Sequence, residues 1–149
     1  MPYIWNYEYA IGTIVLICLY TSLYVAYWNF LDKTNSLHDG YIVGVQYVNN
    51  GMSRVEHGHH FNPEQTKLIL QILVTSIYDI IVEIEFENVL EWQIKDNQWD
   101  MTDTTVMFDD HNWIIWSDDV YINMEEVKKG SYVIAESMRW KITEHNLTL

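Results

Sequence analysis

Between Glu8 and Asp32 the chain carries no Asp, Glu, Lys, Arg or His. Inside that gap lies Tyr9 to Phe30, YAIGTIVLICLYTSLYVAYWNF. As a helix rising about 1.5 Å per residue, these 22 positions extend about 33 Å, enough to cross a hydrocarbon core of about 30 Å. Aromatic residues flank it, with Trp5, Tyr7 and Tyr9 at one end and Tyr24, Tyr27, Trp28 and Phe30 at the other. Such rings favour headgroup depth. The expectation is a single transmembrane helix over residues 9–30, in contact with membrane lipid. No Lys or Arg precedes the run, and it exceeds a signal-peptide core, so a retained anchor is expected over a cleaved signal. Thr21 and Ser22 can bond back to carbonyls one turn earlier, while the Tyr20 hydroxyl suits a partner helix.

The anchor divides the chain into a short tail (1–8), the helix (9–30), a juxtamembrane linker (31–40, LDKTNSLHDG) and a domain (41–149). Only Lys33 biases orientation, so the sequence leaves the orientation of the domain undetermined, with a lean of one charge toward the cytoplasm. The one cysteine, Cys18, falls within the apolar run, which rules out an intrachain disulfide.

Charge narrows the partners. The formal net charge is −13, with 21 acidic residues against 8 Lys and Arg. A field of this sign repels phosphate backbones, so nucleic acid is not an expected partner. A basic protein partner fits it.

Within the domain, Tyr41 to Val48 (YIVGVQYV) is rich in β-branched and aromatic residues and is expected as a strand. Asn49-Asn50-Gly51 then supplies a turn, with Met52 to Val55 as the returning strand. Asn62-Pro63-Glu64-Gln65 has helix-start chemistry: a capping side chain, proline at the first position and an acid at the positive dipole end. We therefore expect a packed helix over residues 63–77, against a competing buried strand from Lys67 to Thr75. Alternation is clear from Ile80 on. Val82, Ile84 and Phe86 share one face, and Glu83, Glu85 and Glu87 share the other. Leu90, Trp92 and Ile94 continue in a next strand, and short strands are expected at 104–108, 112–116, 120–124, 132–136 and 138–142. The expected fold is a transmembrane helix followed by a small β-rich (α+β) domain, an antiparallel barrel or sandwich with one packed helix.

Chemistry-bearing motifs are few. His57 and His59, with Glu56 beside them, could supply metal ligands, since zinc accepts imidazole and carboxylate. Gly58 loosens that segment and no third ligand has a recognisable spacing, so a polar loop is the plainer expectation. Asp109-Asp110 and Asp118-Asp119 lack EF-hand spacing and suit solvated turns. Trp113 and Trp116 lie three apart, so in a strand they face opposite ways and one should be partly exposed, as partner-binding tryptophans are, against the alternative that both lie in the core or at a barrel end. The sequence thus leads to a membrane-anchored, non-catalytic interaction or structural module. It would bind a protein partner or serve a membrane or envelope complex, with no cofactor. The alternative is a membrane-tethered, metal-dependent hydrolase using His57, His59 and Glu56.

Overall fold

The strongest alternation in the sequence becomes the longest strand. In a computed structural model, which describes residues 25–61, 65–77, 79–95, 100–121 and 123–143 (side chains of 52–55 and 59–61 excepted), β5 spans Ile80–Gln93. It sits in a six-stranded antiparallel sheet with β1 (Gly40–Asn49), β4 (Thr66–Val74), β6 (Thr105–Phe108), β7 (Ile114–Ser117) and β8 (Tyr132–Thr143). The strand order is β1-β4-β5-β8-β7-β6. A separate hairpin pairs β2 (Met52–Val55) with β3 (Gly58–Phe61). Helix α1 is described over residues 25–34, and α2 is the single turn Met124–Val127.

Period-two burial sets the register. Val82, Ile84 and Phe86 are buried and pair with Ile72, Leu70 and Leu68 of β4, so three strands stack their apolar residues on one face. Each such side chain contributes about 1.5–3 kcal/mol when fully removed from water. Phe30, Leu37, Met101, Trp116, Val133 and Ala135 complete this core. A smaller cluster on the opposite face gathers Ile115, Val127 and Tyr132 beneath α2. Glu91 accepts a hydrogen bond from the Tyr132 hydroxyl at 2.6 Å, and burial together with that carboxylate pushes the phenol up to about 12.

Glu83, Glu85 and Glu87 do face outward, but strand neighbours neutralise them. Lys67 lies 2.6 Å from Glu85 and 3.0 Å from Glu87, Arg139 3.0 and 2.7 Å from the same pair, and Lys141 2.7 Å from Glu83. The expected acidic face is therefore a ladder of three acids crossed by three bases, and the unbalanced negative charge lies elsewhere.

Several expectations change. The helix expected over 63–77 is instead strand β4 from Thr66 onward, as its competitor proposed; residues 62–64 fall outside the described residues. Its run looks apolar all round because Ile69 and Leu73 are half-buried on the outer face while Leu68, Leu70, Ile72 and Val74 are buried on the inner one. The sheet is open rather than a barrel or sandwich. Residues 80–93 form one strand with a register shift between Val89 and Glu91, and 132–143 form one strand, not two. Residues 120–124 lead into α2, whose Asn123 side chain accepts from the Glu126 amide at 3.1 Å. Met52 to Val55 returns onto β3, not onto β1.

The linker expectation changes most. Residues 31–34 continue α1, and Asn35–Leu37 form a tight turn with φ of 49°, 54° and 57°. Left-handed backbone costs a non-glycine residue roughly 1–2 kcal/mol. Tertiary bonds hold it: Asn35 Nδ2 donates to Ser76 Oγ, Ser76 Oγ donates to the His38 carbonyl at 2.6 Å, and the Asp39 amide donates to the Met101 carbonyl at 2.9 Å. Gly40 bridges Met101 directly, and a Cβ there would meet the Leu37 carbonyl at 2.5 Å. The bulge at Val89/Glu91 bends the sheet, and this bridge ties the segment after β5 back to the start of β1. Among the described residues no helix is long and apolar enough to cross a membrane, and residues 1–24 lie outside them.

Candidate functional site

Two irregularities of the sheet, on strands that flank β8, create a groove at Trp113. The first is the bulge in β5. Asn88 takes φ of 53°, and Thr66 Oγ1 fastens the bend by accepting from the Val89 amide at 2.8 Å. Val89 turns into the core and Leu90 is left 57% exposed. The second is the β6–β7 turn. Asp109 Oδ1 accepts from the amides of His111 and Trp113, each at 2.8 Å, and the Asp109 amide donates to the Trp113 carbonyl at 3.1 Å. An aspartate that mimics a backbone turn in this way fixes the loop that carries Trp113.

Between these features lies a groove of about 790 Å³ lined by Asn88, Val89, Leu90, His111, Asn112, Trp113 and Glu136. Leu90 and Trp113 supply its large apolar side chains. Glu136 supplies a carboxylate, which accepts from Asn88 Nδ2. No Lys or Arg is among the lining residues, and Asp109 and Asp110 border them in sequence. The groove offers contact area beside the Glu136 carboxylate.

The remaining predicted site residues are dispersed. Trp116 is fully buried, pairs with Val133, and tilts against Phe86 with ring centroids 6.1 Å apart. The two tryptophans therefore part company, with Trp113 half-buried at the groove and Trp116 in the core. Glu56 and His57 are exposed in the β2–β3 turn, whereas His59 belongs to β3 and its side chain lies outside the described residues. Among the described residues no group of three His, Cys, Asp or Glu could hold a metal ion. Asp118 Oδ1 accepts from the Ser131 amide at 2.9 Å and Asp119 Oδ1 from the Val120 amide at 2.7 Å, so these aspartates serve turns. Sequence patterning does not single out Leu90, Asn88 or Glu136 for a site. The available signal was Asn88, a polar residue at the even position where β5 had placed Val82, Ile84 and Phe86.

Comparison of this chain with protein-family models, with curated proteins and with solved structures finds no match.

Proposed function

We propose that the chain is a membrane-anchored, non-catalytic interaction module that engages a basic protein segment through the Trp113 groove. The observation that carries this is the groove itself: Trp113 and exposed Leu90 beside Glu136, with no Lys or Arg among the lining residues. Binding energy concentrates where an aromatic anchor is desolvated at the centre of a contact. The negative field of a chain of formal charge −13 steers a basic partner toward it.

The anchor in this account is the apolar run, with its boundary moved. Phe30 is buried in the sheet core, so it serves the domain and not the lipid. Val25 and Trp28 on α1 are exposed and extend apolar surface from the run. Residues 9–28, at a rise of about 1.5 Å each, give about 30 Å of helix, the thickness of a hydrocarbon core.

The test places a photoreactive amino acid at position 113, and separately at 142 on β8 as a control, in the chain expressed in its host membranes. A discrete adduct from 113, weakened by added salt and absent from 142, supports the groove as the docking site. The same adduct from both positions, or none from 113, contradicts it.

A further inference from the structure

Strand β1 is an edge of the sheet, yet its composition is that of an interior strand. It runs ten residues, GYIVGVQYVN, with no Asp, Glu, Lys, Arg, His or Pro. Among the described residues no strand pairs with its outer side. Val45 and Tyr47 pair with Leu70 and Leu68, so they stand on the core face of the sheet, but they are 43% and 47% exposed. Tyr47 stacks on Trp92 with ring centroids 5.8 Å apart and planes at 23°, building an apolar shelf beside the strand. Tyr41, paired with Leu73 on the outer face, is exposed as well. A strand apolar on both faces belongs inside a sheet. Edges are ordinarily blunted by charge, proline or a bulge. The one such device here is the bulge between Ile42 and Gly44, and the strand from Gly44 to Asn49 is regular beyond it.

We propose that β1 is the self-association edge of this chain, pairing antiparallel with β1 of a second copy about a two-fold axis. Charge selects the occupant. A basic foreign segment, which the rest of the surface attracts, finds no acid on β1 to pair with. A second β1 is equally uncharged, and its exposed Val45 and Tyr47 offer the same apolar surface on the core face as the edge they would meet. The antiparallel arrangement is isologous and closes at two copies. It also carries the Tyr47–Trp92 shelf of each copy toward the other.

The experiment uses the whole 149-residue chain with Cys18→Ser, solubilised in a nonionic detergent. Single cysteines are introduced as Val45→Cys, Tyr47→Cys and, on the opposite edge strand β6, Phe108→Cys, and each is treated with a short bis-maleimide. Positions 45 and 47 should give several-fold more covalent dimer than position 108. The yield should rise with salt, because two bodies of formal charge −13 repel and screening relieves that repulsion. Adding Tyr47→Lys to the Val45→Cys chain, with an unchanged far-ultraviolet dichroism spectrum as the check of folding, should reduce the dimer several-fold. A second lysine variant, Val43→Lys, serves if that spectrum changes. Equal dimer from position 108, no dimer from β1, or indifference to the folded lysine variant would each overturn the proposal. Association through the apolar run alone would produce the first of these patterns.

Discussion

Phe30 and Trp140 meet edge to face, with ring centroids 5.4 Å apart and planes at 64°. This contact locks the end of the uncharged run onto β8, and with Thr34 and Leu37 buried behind it, α1 is part of the domain. Phe30→Ala should therefore lower stability by about 3–5 kcal/mol, the range for emptying a buried aromatic site. Urea unfolding of a chain beginning at residue 25 would measure it. A chain beginning at Asn35 should be no more stable than that variant, and equal midpoints for all three chains would show that α1 does not pack.

Trp113 and Trp116 should separate in the same assay. Trp116→Ala removes a fully buried indole and should cost about 3–5 kcal/mol, while Trp113→Ala should stay within about 1 kcal/mol. The Trp116 Nε1 is buried with no acceptor among the described residues. A desolvated donor left unpaired costs about 1–3 kcal/mol, so Trp116→Phe should recover much of the loss. If Phe is as damaging as Ala, that nitrogen has an acceptor outside the described residues.

The charge ladder gives stability an acid limb. Hydrogen bonds from Lys67, reinforced by Arg139, hold the Glu85 carboxyl below its usual 4.5, and Glu83 and Glu87 are lowered in the same manner by Lys141 and Lys67. A lowered native pKa means stabilisation that is complete above the unfolded value and lost as pH falls through the native one. Stability should therefore decline from about pH 4.5 downward. Glu85→Gln should be less stable at neutral pH and should show a shallower decline in acid. Urea midpoints from pH 7 to pH 3 test this, and parallel curves for the two proteins would contradict it.

The legible parts of the sequence were those where one strand declares its own pattern. Val82, Ile84 and Phe86 against Glu83, Glu85 and Glu87 announced a half-buried strand, and the structure agrees. The Lys128-Lys129-Gly130-Ser131 turn before β8 was equally plain. What failed to show was anything set by neighbours. Residues 66–74 form a central strand because β1 and β5 flank them, and an apolar run with half-buried Ile69 and Leu73 carries no visible period. The bases that neutralise the β5 glutamates lie 18 to 58 positions away in sequence, from Lys67–Glu85 to Lys141–Glu83. The groove arises from a bulge and a turn on different strands, so the sequence singles out only Trp113 of its lining, and Trp116 along with it.

The proposed function puts this domain at a membrane, and flotation reads out that placement. The 149-residue chain, expressed in cells and extracted with alkaline carbonate, would be layered beneath a density gradient together with a chain beginning at residue 25. The first chain should float with the bilayer after carbonate treatment, and the second should stay in the aqueous load. Recovery of the 149-residue chain as a folded protein in the carbonate supernatant would contradict it.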